Sequence, residues 1–207
     1  MNTTLNNPKA KIGPQGTWTI TAARSSNDTP YSGTVQILPM GKIYSISWLT
    51  TLGDYSGLAF FEDDRLFAAC GPDNTYGVSL YKINGDGTLD CRWITPSNKG
   101  AIDTEKAVGG TPNELEGSYQ VRGTISNLGD YEGTLNISKL SDTYQILWSM
   151  GVEYQGVGLR VRDWLVVGWG EGNVYCLDYK IQGDLAQGRW AYLGKSTLGV
   201  ETLQRIC

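Results

Sequence analysis

The chain contains no histidine. That absence removes nucleophile activation through an imidazole, histidine-containing metal sites and the imidazole pH switch. The four cysteines, Cys70, Cys91, Cys176 and Cys207, include no C-x-x-C pair, which argues against a zinc site or a thioredoxin-like motif. Three of them sit in strand-like runs and read as small buried apolar side chains, and the fourth ends the chain. Charge is sparse. The 17 Lys and Arg and 21 Asp and Glu give a net charge of −4, with no basic stripe of the kind a nucleic-acid backbone requires. No apolar run approaches membrane-spanning length. The polar start, Met-Asn-Thr-Thr-Leu-Asn-Asn-Pro-Lys, lacks the basic-then-apolar order of a signal peptide. The acidic loops Glu62-Asp63-Asp64 and Asp73-Asn74 lack the ligand spacing of a calcium loop, and no Gly cluster leads from a strand into a helix as a phosphate loop does. These absences lead to the expectation of a cytoplasmic protein with no nucleic-acid or membrane partner, no metal and no cofactor.

What is abundant is glycine, at 27 residues, with seven Trp and twelve Tyr against only three Phe. Such a composition suits short strands joined by tight turns. The chain also repeats itself. Tyr31-Ser-Gly33-Thr34 matches Tyr131-Glu-Gly133-Thr134, and Tyr44, Ile46 and Trp48 match Tyr144, Ile146 and Trp148, all at a spacing of 100. The spacing then shrinks slowly, as small loop deletions would make it. Tyr55-Ser-Gly57 pairs with Tyr154-Gln-Gly156, Leu66 with Leu165, and Gly71 with Gly170. Tyr81-Lys82-Ile83 pairs with Tyr179-Lys180-Ile181, Arg92-Trp93 with Arg189-Trp190, and Glu105 with Glu201. The order predicts a loose segment 1–14, a first β unit 15–108, a Gly/Pro-containing link 109–116 and a duplicate unit 117–207.

Within each unit Tyr-x-Gly opens an apolar run twice, 24 residues apart in the first and 23 in the second. That is about one long hairpin, with the Tyr placed to cover the end of a core while its hydroxyl stays wet. Alternation and turn signals predict eight strands in the second unit, near 118–125, 131–139, 143–150, 154–162, 164–169, 173–182, 186–193 and 199–205, with a parallel set in the first. The expected fold class is all-β: two tandem antiparallel meanders of about eight strands, closed as small up-and-down barrels because closure removes sticky edges. A four-bladed propeller or paired β-sandwiches fit the same hairpin period.

The opening Gly16-Thr17-Trp18 ahead of an eight-strand meander resembles the calycin-type barrels, the lipocalins and avidin-like proteins. There a Gly-x-Trp begins the first strand and the Trp plugs the base. The second unit has Gly117-Ser118-Tyr119, in which Tyr can take the same place. The resemblance implies a barrel with a ligand cavity. The avidin pattern of biotin-contacting residues is absent, so biotin is not implied. Barrels of the allene oxide cyclase type share the same outline, and fold alone does not select among these functions.

The residues with most chemical content follow from the repeat and its breaks. Tyr44, Trp48, Tyr144 and Trp148 form an aromatic stripe that serves either as barrel core or as the wall of a ligand cavity. Trp164 and Trp169 occur only in the second unit, opposite Arg65 and Cys70 of the first. The run Trp164-Leu-Val-Val-Gly-Trp169 is apolar on both faces and must contact something beyond its own barrel. Tyr179 and Arg189 complete the ligand-binding set. Arg92 and Arg189 are expected to pair with Glu105 and Glu201. The alternative makes Glu105, Glu201 and Asp178, which stands opposite Leu80, catalytic candidates that move a proton beside Tyr hydroxyls. The leading functional expectation is a binding protein for a small apolar or aromatic molecule, with one unit degenerate. A cofactor-free isomerase or cyclase using the same cavity is the second. The third is a structural or interaction module whose aromatic strands form a homo-oligomer interface.

Overall fold

The computed structural model describes residues 13–126 and 128–206. Residues 1–12 of the expected loose segment, and Cys207, lie outside them. Sixteen strands follow one another: β1 (Gly16–Arg24), β2 (Gly33–Met40), β3 (Ile43–Thr50), β4 (Gly53–Glu62), β5 (Arg65–Cys70), β6 (Tyr76–Ile83), β7 (Leu89–Ile94) and β8 (Asp103–Val108) in the first repeat. The second repeat supplies β9 (Gly117–Ile125), β10 (Gly129–Leu140), β11 (Thr143–Ser149), β12 (Glu153–Val161), β13 (Trp164–Gly170), β14 (Tyr175–Gln182), β15 (Leu185–Tyr192) and β16 (Gly199–Arg205). All pairing is antiparallel, and the strands close into two eight-stranded barrels. Closure excludes the propeller and the sandwiches.

The barrels do not coincide with the repeats. Barrel B is the contiguous run β6 to β13, closed by β13 on β6. Barrel A is β1 to β5 continued by β14 to β16, closed by β1 on β16. Had each repeat closed on itself, β5 would pair with β6 and β13 with β14. Instead β5 pairs with β14, and β13 with β6. Each barrel therefore takes five strands from one repeat and three from the other. The two crossovers, 71–75 and 171–174, leave the barrels at the same end and meet there, with the Glu171 amide donating to the Thr75 carbonyl at 3.4 Å. The expected linker 109–116 is the turn between β8 and β9 of barrel B, and its Leu115 is fully buried.

Three apolar layers result. Inside barrel A lie Trp18, Val35, Ile37, Ile46, Leu66 and Leu203; inside barrel B lie Val121, Leu135, Ile137, Ile146, Leu165 and Val167. Between the barrels, Leu58, Phe60 and Phe67 of A meet Val78, Leu80, Leu159 and Val166 of B. This third layer accounts for strands that are apolar on both faces: β13 turns Leu165 and Val167 inward and Val166 toward the sister barrel. At the base of barrel A, Trp18 is fully buried, donates from Nε1 to the Pro14 carbonyl at 3.1 Å, and lies under the Arg205 guanidinium 4.2 Å from its ring centre. Tyr119 fills the matching position in barrel B and donates to the Leu115 carbonyl at 2.8 Å.

Candidate functional site: a buried carboxylate under each barrel mouth

The mouth of barrel A is at the end opposite Trp18. There the inward face of β16 carries Glu201, which is only 6% exposed. Tyr31 Oη donates to Glu201 Oε1 at 2.5 Å, and Tyr179 Oη donates to Oε2 at 2.5 Å. Each tyrosine oxygen in turn accepts from an indole: Trp190 Nε1 to Tyr31 at 2.9 Å and Trp48 Nε1 to Tyr179 at 2.8 Å. An indole N–H can only donate, so each hydroxyl is directed to send its own proton to the carboxylate. With Glu201 ionised, every donor in this five-residue chain has an acceptor. Burial raises the Glu201 pKa above the usual carboxylate range, while the Tyr179 and Tyr31 hydroxyls pull it down. Burial, followed by the nearby Glu201 charge, pushes both tyrosines well above their ordinary value.

Barrel B repeats the arrangement. Glu105 is 6% exposed, and its Oε1 accepts from Tyr81 Oη at 2.6 Å and its Oε2 from Tyr131 Oη at 2.9 Å. Trp148 Nε1 donates to Tyr81 Oη at 3.1 Å. Burial again raises the carboxyl pKa against the pull of Tyr81, Tyr131 and Trp148. The two networks differ at Trp93, the counterpart of Trp190: its buried Nε1 lies near Tyr131 but outside hydrogen-bond geometry with any described residue. Neither glutamate forms an ion pair with a Lys or Arg among the described residues. Glycine makes room for the rings: a Cβ at Gly199 would overlap Trp190, and one at Gly188 would overlap Tyr179.

Above each network the mouth opens into a cavity, of about 390 Å³ in barrel A and about 350 Å³ in barrel B. Their walls differ through one cross-strand exchange. In barrel A, Cys70 pairs with Tyr175, and Leu177 stands two residues further along β14. In barrel B the matching positions are Trp169, Gly77 and Ser79, with Trp169 paired to Gly77. Trp169 lies across Gly77, where a Cβ would overlap its indole, and its Nε1 donates to Ser79 Oγ at 2.9 Å. Bulk has thus moved from one strand to its neighbour, and the Ser hydroxyl serves the added N–H. Trp169 then packs edge-on to Trp93, Trp148 and Tyr154, at centroid distances of 5.9, 6.3 and 6.0 Å. In barrel A the small Cys70 stands beside Tyr175, and Tyr55, Tyr175 and Trp190 follow one another around the mouth at successive centroid distances of 5.6 and 5.7 Å.

A wider concavity, about 1080 Å³, lies against the wall of barrel B formed by β7 to β10, with Glu62, Lys82 and Trp164 at its edge. Arg92, Lys106 and Arg122 there pair with Glu62, Asp90 and Glu132. Its charges are mutually satisfied and its face is open, as expected of a solvated surface.

Of the residues singled out from the sequence, Trp48, Trp148 and Trp169 line the cavities and Tyr179 lies beneath one of them. Tyr44 and Tyr144 pack lower, in the barrel interiors, with Tyr44 edge-on to Phe61. Glu105 and Glu201 form the cavity floors. Trp164, Arg189 and Asp178 belong to the contact between barrels. Trp164 Nε1 donates to Asp63 Oδ2 at 3.2 Å and its ring packs on Phe67. Asp178 accepts from Arg65 at 2.6 and 2.8 Å, with Arg189 3.6 Å away. The expected pairing of Arg92 and Arg189 with the two glutamates does not occur. Strand alternation turns Arg92 outward while Cys91 faces its cross-strand partner Glu105 inside. Both arginines reach the other barrel instead, Arg92 to Glu62 at 2.7 Å and Arg189 to the Arg160 carbonyl at 2.7 Å. The Tyr31 and Tyr131 hydroxyls, expected to stay wet, bond the glutamates. Sequence reasoning missed both tyrosines, together with Tyr81, Trp93 and Trp190, as parts of the site. Their retention in both repeats beside Glu105 and Glu201 was the available signal. Comparison with family models, curated proteins and solved structures finds no match for the chain.

Proposed function

We propose that this protein binds a small apolar or aromatic molecule in the mouth of barrel A. The observation that carries this reading is the open cavity of about 390 Å³, walled by aromatic rings and floored by a hydrogen-bonded network that rigid indoles hold in place. A concave apolar pocket with a few convergent polar groups is the usual form of a small-molecule site. Barrel B keeps a cavity of about 350 Å³ over its own glutamate, but with Trp169 packed into the wall against Trp93, Trp148 and Tyr154 it is read as the degenerate partner. The cofactor-free isomerase or cyclase reading draws less support, because both oxygens of each glutamate already accept a tyrosine hydroxyl. The interaction-module reading loses its main argument, since the two-faced strand β13 packs against barrel A of the same chain.

The test is native mass spectrometry of freshly purified protein, followed by titration with aromatic probes read by tryptophan fluorescence. A non-covalent adduct, or saturable quenching that disappears when Cys70→Trp fills the barrel A mouth, is the expected result. Quenching that is unchanged in Cys70→Trp and lost in Trp169→Ala would move the site to barrel B. No adduct and no saturable quenching by any probe would remove the binding function.

A further inference from the structure

We propose that the ligand of barrel A is a cation, an amine or quaternary ammonium group carried on a small apolar body, seated among the aromatic rings above Glu201. This deepens the binding function proposed above and rests on it.

Glu201 is held by neutral donors only, and no Lys or Arg among the described residues forms an ion pair with it. Lys195, the one basic residue in the cavity wall, is exposed on the turn between β15 and β16. A carboxylate buried without a counter-charge either takes up a proton or favours a positive group brought to it. The contrast with Asp178 is direct: it is similarly buried, but the chain supplies two arginines to it.

The walls point to the same chemistry. Aromatic faces carry the negative side of the ring quadrupole, and several rings around one cavity attract an ammonium group more than a neutral one of equal shape. Tyr55, Tyr175 and Trp190 meet edge to face at interplanar angles of 70° and 71°, so their faces turn in different directions around the cavity. Tyr31 and Trp48 complete the ring of aromatic residues above the carboxylate. The two repeats have exchanged bulk at the Cys70/Trp169 and Tyr175/Gly77 positions, yet both keep the glutamate, its two tyrosines and its two tryptophans.

The experiment compares benzyltrimethylammonium with neopentylbenzene, its neutral carbon isostere, by tryptophan fluorescence titration of the full chain. The expected result is about ten-fold or more tighter binding of the cation, as a ring of aromatic faces plus a carboxylate would give. Glu201→Gln should bring the two affinities together while the isostere's own affinity is kept. Glu105→Gln, the matched change in barrel B, should leave the preference intact. Equal affinities in the wild-type chain, or a preference unchanged in Glu201→Gln, would overturn the cation assignment and leave the binding function standing. Failure of both probes, with no adduct in native mass spectrometry, would instead remove the binding function. Should Glu201→Gln fail to fold, Trp190→Leu is the second variant, and it should cost the cation more affinity than the isostere.

Discussion

A single hydrogen-bond rule organises the site at the scale of residues. Because indoles cannot accept, Trp48 and Trp190 orient two hydroxyls, and those hydroxyls orient Glu201. The carboxyl pKa is nonetheless raised, since burial outweighs the tyrosine bonds at both Glu201 and Glu105. In the unfolded chain these groups titrate near 4.5, and in the folded chain higher. Between those values the native state holds more protons, so stability falls as pH rises through that interval and levels off above it. Asp90 and Asp163, held low by Asn84 and Lys82, act with the opposite sign but below their ordinary 3.8. Calorimetric melting from pH 4.5 upward should therefore show a decline that shrinks in the Glu105→Gln/Glu201→Gln double variant. An identical slope in both proteins would refute the account. The bulk exchange makes a second prediction. Cys70→Trp alone collides with Tyr175 and should cost roughly 2 kcal/mol. Adding Tyr175→Gly and Leu177→Ser, the barrel B solution, should recover most of it in chemical denaturation, as coupled neighbours do. A triple variant less stable than the single one would contradict the match between the two barrels.

Among the strands, β13 shows how a local pattern acquires meaning. Leu165 and Val167 belong to one core and Val166 to another, so a run with no polar face is satisfied on both sides. Val166→Asp places an unpaired charge between the barrels and should cost on the order of 4 kcal/mol, measured by urea denaturation. A loss below about 0.5 kcal/mol, the range of surface changes, would mean that this layer is open to water. All eight strands expected in the second repeat are present, with ends within two residues of their predicted positions. Alternation and turn chemistry are local properties, so they can be read without the fold. The arginine pairings were not legible, because side-chain direction in a strand settles which neighbours are excluded but not which distant strand lies opposite.

For the molecule as a whole, the exchange of strands makes a prediction that the repeat alone would reverse. Residues 75–172 contain every strand of barrel B in unbroken order. That fragment should fold by itself, with native-like circular dichroism, and self-associate through the exposed Val78, Leu80, Leu159 and Val166. Residues 1–108 hold a full repeat but complete neither barrel. They should be found as two-chain species, in which β6 to β8 of one copy complete β1 to β5 of the other, by size-exclusion chromatography with light scattering. A monomeric, folded 1–108 would show that a repeat can close on itself.

The glutamates read from the sequence first as partners of Arg92 and Arg189; what the sequence determined by itself was the duplication, the β class and the strand positions of the second repeat. These depend on composition, period and self-similarity, all of which are local or internal to one chain. The partner of each half-site was decided only by the tertiary structure. Tyr31 and Trp48 meet Glu201, not Glu105, because β5 crosses to β14 instead of turning back on β6. The two repeats offer nearly interchangeable edges, so nothing in either one distinguishes pairing within it from pairing across. The choice is made where the crossovers meet and the apolar layer between the barrels closes, and those contacts exist only once both repeats are folded together.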